Sequence, residues 1–157
     1  LGPAHPSTID VLHNLASCYM VRMLPARAKP MFERCLEATK ARFGEDHRRY
    51  AEEAVCLAEC YRQTREFDEA LNLLRKAMPT FEQTRELYQL GHCLHQLGVL
   101  YLSWKKPAEA VATLERALAV RQECLGPAHD DVGRTIVQLG LARFLAGDVE
   151  AAVEHCT

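Results

Sequence analysis

Leu15-Ala16-Ser17-Cys18-Tyr19 recurs as Leu57-Ala58-Glu59-Cys60-Tyr61, as Leu97-Gly98-Val99-Leu100-Tyr101 and as Leu139-Gly140-Leu141-Ala142-Arg143, at offsets of 42, 40 and 42. A second marker keeps step with it: Ala28, Ala70, Ala110 and Ala152 stand nine positions after the tyrosine site in every copy. A third lies between copies, as Leu1-Gly2-Pro3-Ala4-His5-Pro6, Phe43-Gly44-Glu45-Asp46-His47 and Leu125-Gly126-Pro127-Ala128-His129. Three markers with shared offsets identify one supersecondary unit repeated along the chain. Apolar residues recur at three and four, and no stretch alternates as a strand would, so the chain reads as helical nearly throughout. The spacing predicts helices over about 7–23, 25–42, 47–64, 67–82, 84–103, 107–125, 131–146 and 149 to the end, with ends good to about 2–4 residues.

Each of the first three copies shows Leu, then Gly or Ala, then Tyr three on, then Ala nine further, then a large apolar residue four beyond, the slot of Phe32, Leu74 and Leu114; in the fourth Arg143 replaces the tyrosine. This pattern resembles the tetratricopeptide repeat. The 42-residue period and the Leu-Gly-Pro-x-His-Pro linker are similar to the kinesin light chain type, whose helices are longer than in the 34-residue form. The resemblance implies an all-α fold, a right-handed α-solenoid of antiparallel helix pairs, with about three and a half repeats. The copies are expected at about 5–42, 47–82, 84–125 and 129–157. Together they make residues 1–157 a single domain, read as a segment of a longer protein because it opens Leu-Gly-Pro.

The markers also have a mechanical reading. Ala16, Ala58, Gly98 and Gly140 are small where a first helix must approach its second, and Ala28, Ala70, Ala110 and Ala152 are their counterparts. Pro25 and Pro107 suit the first turn of a second helix, where a missing N–H costs nothing. Gly44 and Gly126 suit a left-handed residue closing a helix, and Asp46 and Asp130 or Asp131 suit the cap of the next. Pro79, late in the fourth helix, is expected to kink or stop it. The third copy follows at an offset of 40 without the Leu-Gly-Pro linker, which predicts a different angle between second and third copies.

Composition excludes several functions. The 157 residues carry 19 Lys plus Arg against 21 Asp plus Glu, a net charge of −2 with both signs interspersed. That gives no basic stripe for nucleic acid and no polybasic run for a membrane surface. The longest uncharged stretch, Leu87 to Trp104, contains Tyr88, Gln89, His92, His95 and Gln96, so it reads as a helix buried in protein. Seven cysteines without a CxxC pair read as reduced thiols of a cytoplasmic protein. No phosphate loop, GxSxG elbow or HExxH is present, so no catalytic residue and no cofactor are assigned. His92, Cys93 and His95, with Glu52 or Glu59, are the best metal candidates, but repeat position explains them better and no metal is assigned. Cys56 and Cys60 read as structural thiols, Trp104 as a cover for the end of a helix pair, and Glu33, Arg34, Glu37, Glu115, Arg116 and Arg121 as a solvated convex face.

What remains is the concave surface lined by first helices, where extended partners bind such stacks. Counting from the tyrosine marker, its expected polar residues are Asp10, His13, Asn14, Glu52, Glu59 and Arg62 in the first two copies. His92, His95, Gln96 and Gln138 follow in the last two, with Leu102, Leu141 and Phe144 as an apolar pocket or the seam for a further repeat. The family resemblance implies peptide binding there, often through paired asparagines before the Leu-Ala marker, of which Asn14 alone matches. The expected function is a non-enzymatic protein-protein interaction scaffold or adaptor module that holds a peptide or partner helix in its groove. The alternative is a structural spacer or sensor segment of a multidomain motor-adaptor, ciliary or signalling protein. The expected partner is a protein or peptide, not nucleic acid or membrane.

Overall fold

The structure is a computed structural model, and it describes residues 5–147; Ala152, Cys156 and the expected eighth helix lie outside the described residues. Seven helices follow in order: α1 (Pro6–Val21), α2 (Pro25–Phe43), α3 (Arg48–Gln63), α4 (Phe67–Gln83), α5 (Leu87–Ser103), α6 (Pro107–Leu125) and α7 (Asp130–Ala146). Among the described residues there is no strand, and the boundaries agree with the sequence pattern to within three residues.

The turn inside each of the first three copies has one geometry. Met23, Arg65 and Lys105 take positive φ of 55°, 67° and 59°. The next amide reaches back to the marker tyrosine's carbonyl, Leu24 to Tyr19 at 2.9 Å and Glu66 to Tyr61 and Lys106 to Tyr101 at 2.8 Å. This is the six-to-one closure of a helix C-terminus. Arg85, with φ of 56°, repeats it before α5, where Glu86 bonds the Phe81 carbonyl at 3.0 Å. The same turn therefore replaces the missing glycine linker. Pro25 and Pro107 open α2 and α6 as expected.

The first helices are capped differently from the expectation. His5, His47 and His129 are the N-caps, each Nδ1 accepting the N–H two residues on, Ser7 at 3.2 Å and Arg49 and Asp131 at 3.1 Å. Asp46 lies before the cap, while Asp130 and Asp131 fall inside the first turn of α7, where negative charge favours the helix dipole. Gly44 and Gly126 close α2 and α6 with φ of 88° and 81° but ψ of 169° and 161°, an extended region open essentially to glycine alone rather than the helical left-handed one.

Pro79 does not stop α4, which continues to Gln83. Ala77 and Phe81 on either side of it are buried, and that packing outweighs one lost backbone hydrogen bond. One residue later, after Thr80, the chain divides into two compact units. In the first unit Ile9, Ala16, Ala28, Phe32, Leu57 and Leu74 are fully or almost fully buried. In the second, Ala110, Leu114, Leu139 and Ala142 form a cluster, with Tyr101, Leu102, Val111 and Leu118 packed on it. The small marker residues do what their size suggests. A Cβ on Gly98 would come within 2.6 Å of Leu114 Cδ2, so the close approach of α5 and α6 requires glycine there.

Candidate functional site

In the first unit the expected acidic row is internally neutralised. Asp10 is exposed but accepts from Arg49 Nη2. Glu52 accepts from Arg48 Nε at 2.9 Å along one helix turn. Glu59 is clamped by Arg62, with bonds of 2.8 and 2.6 Å from Nε and Nη2, and by Gln63 Nε2 at 2.7 Å. The bond to Glu59 holds the Arg62 guanidinium above its usual pKa. These i to i+3 and i to i+4 partners were visible in the sequence but were not paired there. Asn14 is exposed, and Val55, aligned with the groove row, is buried.

His13 is half-buried: its Nδ1 lies 2.9 Å from Glu53 Oε2, and its ring meets Phe32 edge-on at 5.5 Å. Glu53 is only 2% exposed, a buried carboxylate that the alignment had not singled out. Its hydrogen bond raises the His13 pKa above 6.5 against the opposing effect of burial.

In the second unit His95 occupies the equivalent slot, six residues before the marker. Its Nδ1 lies 3.3 Å from Thr135 Oγ1, and Thr135 stands where Glu53 stands, eight residues before the next marker. Arg121 Nη1 donates to Thr135 Oγ1 and to the Asp131 carbonyl, both at 2.8 Å. Burial, then the positive charge of Arg121, pushes the His95 pKa down to about 4. Arg121 is itself 4% exposed, which corrects its placing on a solvated face. Room for its stem comes from Gly91, where a Cβ would lie 2.9 Å from Arg121 Cγ. His92 and Gln96 lie 3.3 Å apart on one face of α5, and Gln138 is half-buried on α7.

The marker position has a further role. Tyr61 OH donates to Glu33 Oε1 at 3.0 Å, and Arg143, which replaces tyrosine in the fourth copy, donates from Nη2 to Glu115 Oε1 at 2.6 Å. Each reaches a second-helix glutamate 28 residues earlier. Arg116 likewise pairs with Glu82, so these second-helix charges link helices rather than simply meeting water. Glu33 also lines a depression of about 440 Å³ with Leu36, Leu57, Tyr61, Glu69 and Leu73, a feature the periodicity did not suggest.

The apolar candidates separate. Leu102 is half-buried on the Leu139 and Ala142 cluster, whereas Leu141 and Phe144 on α7 are exposed, Phe144 by 58%, together with Val137 and Leu145. Spacings of four, three and one put all four on one side of α7. Cys35, Cys60 and Cys93 are buried, and burial pushes their thiols and that of Cys56 up to about 12, so these are poor nucleophiles. Cys18, by contrast, is exposed. Among the described residues no three His, Cys, Asp or Glu side chains are placed to hold a metal ion, and no helix is long and apolar enough to cross a membrane.

The tetratricopeptide repeat family model matches residues 7–83, 51–123 and 92–155. Among solved structures, BtubC (BKLC) from P. vanneervenii is 26% identical, with a TM-score of 0.84 over 94% of this chain. This chain spans only 60% of that protein's length. A putative kinesin light chain with nearly identical TPR-like repeats from Podosopora anserina is 22% identical, with a TM-score of 0.81 over 99% of this chain and 75% of that one. A Rap protein complexed with competence and sporulation factor shares the fold at 17% identity, with a TM-score of 0.83 over 95% of this chain and 41% of that one. A comparison with curated proteins finds no match. Kinesin-light-chain-like repeat proteins are thus among its structural neighbours, and the fold class supports a protein-interaction scaffold in general. With the repeat turns, the small-residue crossings and the family match in agreement, this chain belongs to the tetratricopeptide repeat family.

Proposed function

We propose that the chain is a non-enzymatic interaction module, a single domain of about three and a half repeats that captures a peptide or partner helix on its first-helix surface. The observation that carries this reading is the exposed run Val137, Leu141, Phe144 and Leu145 on α7, beside the carboxamide of Gln138. A carboxamide offers two donors and an acceptor to an extended backbone, and an apolar patch of this kind marks an interaction site. Asn14 on α1 and Gln96 on α5 carry the same group. A structural neighbour, a Rap protein, is complexed with competence and sporulation factor, which supports a bound partner on a fold of this kind. The family's generally non-catalytic character and the raised thiols support the absence of turnover, and free cysteines support a reducing, cytoplasmic location.

The ion pairs of the first unit reshape the expected balance of forces. Glu59 already holds Arg62 and Gln63, so it contributes little to an incoming cation, whereas burying a large apolar side chain on Leu141 and Phe144 adds about 1.5–3 kcal/mol. Selection of binders from a random peptide library, followed by titration, tests this. Phe144→Ala is expected to weaken a selected peptide roughly tenfold or more and Glu59→Ala less than about threefold. Binding that ignores Phe144, Leu141 and Gln138 but is lost on Arg116→Glu would overturn the reading.

A further inference from the structure

The seam between the first two copies leaves a depression of about 440 Å³ among α2, α3 and α4, within the range of about 300–1,000 Å³ usual for a ligand pocket. Its floor is apolar: Leu36 and Leu57 are buried, and Leu73 joins them from α4. Its rim is acidic. Glu33 and Glu37 stand one helix turn apart on α2, and Glu69 comes from α4.

These carboxylates are open to a partner. Glu33 accepts from the Tyr61 hydroxyl on Oε1 alone, and among the described residues Glu37 and Glu69 are exposed and form no ion pair. The cations close by leave the excess of negative charge in place. Lys29, above the Tyr61 ring at 4.8 Å, is paired with Glu66 at 2.5 Å. Lys76, the one cation among the described lining residues, also acts on the exposed carboxylate of Glu45. Burial, and then Glu33 with Glu66 and Glu69, push the Tyr61 hydroxyl up to about 12, and the carboxylates' share of that shift reports the negative field.

An apolar floor under an acidic rim matches a side chain that is apolar along its stem and cationic at its tip. Arginine matches it better than lysine, because the guanidinium is less strongly hydrated and its planar fork of five donors can serve two carboxylates at once. We propose that this depression is a second binding site, which seats an arginine of a basic segment on a partner protein, the stem on Leu36, Leu57 and Leu73 and the guanidinium among Glu33, Glu37 and Glu69. The fold class, an interaction scaffold, favours a protein as the source of that arginine. The site goes beyond the peptide reading, which rests on α7, and neither depends on the other.

Titration of the isotope-labelled 157-residue chain with the peptide acetyl-Ala-Arg-Ala-amide, followed by site-resolved NMR, tests the proposal. Saturable shifts are expected at the methyl signals of Leu36, Leu57 and Leu73, weakening as salt rises. The same peptide with norleucine in place of arginine keeps the stem without the charge and is expected to produce none of them, and the lysine peptide is expected to bind more weakly. Glu69→Gln is expected to weaken the arginine peptide roughly fivefold or more, and Asp68→Asn, at an exposed acid outside the depression, less than about twofold. Phe144→Ala is expected to leave this binding unchanged, which keeps its outcome apart from that of the peptide reading. An absence of shifts at the three leucines, equal binding of the norleucine or lysine peptide, equal losses from Glu69→Gln and Asp68→Asn, or a loss on Phe144→Ala would overturn the proposal.

Discussion

His13 and His95 stand six residues before their markers, and each meets a side chain forty residues on. In the first unit that side chain is the buried carboxylate of Glu53, and the imidazole is held toward its charged form. In the second it is the hydroxyl of Thr135, the buried charge has moved to Arg121, and the imidazole is held neutral. The exchange extends further. Arg121 stands at the repeat position of Thr39, whose buried hydroxyl has no hydrogen-bond partner, and Gly91 stands at the position of Ile9. A large apolar residue with a small second-helix residue is thus traded for glycine with arginine. One seam geometry tolerates either charge, provided volume is matched within the seam and the buried charged group is hydrogen-bonded, as Glu53 is to His13 and Arg121 is to Thr135.

The largest expected effect separates the two histidines by pH. His95 has a folded pKa of about 4 against 6.5, so the unfolded chain binds a proton first, and stability present above pH 6.5 is lost as pH falls toward 4. The full loss corresponds to about 3 kcal/mol. Urea unfolding followed by Trp104, which lies in the second unit, is expected to show this loss, and His95→Gln to flatten it. His13 has the opposite sign. Its raised pKa gives a contribution present in full below pH 6.5 and lost as pH rises through the folded value, so His13→Gln matters more at pH 6 than at pH 9. Equal pH dependence of the two variants would erase the contrast.

A smaller effect tests the volume exchange. Gly91→Ala pushes a methyl onto the Arg121 stem and is expected to cost about 1–2 kcal/mol, an effect that should largely vanish in an Arg121→Ala background. Additive costs would mean that the glycine is not there for the arginine. The smallest effect concerns a feature common to both units. His47→Ala removes an N-cap and is expected to cost about 1 kcal/mol in thermal unfolding, while Asp46→Ala is expected to cost a few tenths.

The helix pairs were legible because Leu15, Ala16, Tyr19 and their counterparts serve local geometry, and a period of about forty residues repeats that geometry. The caps were half-legible: His5, His47 and His129 were in view as linker markers, but Asp is the commoner cap and took the assignment. The candidate site was least legible, because whether a first-helix residue faces solvent depends on what the next copy places forty positions on. His13 and His95 read as groove residues until Glu53 and Thr135 cover them. Arg121 sits where helical periodicity expects a solvated arginine, and only Gly91, small opposite a large side chain, signals that it is buried. Glu52 and Glu59 read as an acidic attraction although Arg48 and Arg62 stand one turn away. Leu141 and Phe144, read as a pocket or a seam, are exposed among the described residues.

Site-resolved titration of the imidazole proton resonances, assigned with His13→Gln and His95→Gln, addresses the exchange of charge between the two seams most directly. His13 is expected to titrate above 6.5 and His95 to remain neutral until pH falls to about 4. Coincident midpoints near 6.5, or His95 titrating above His13, would contradict the assignment of opposite charges to one repeated slot.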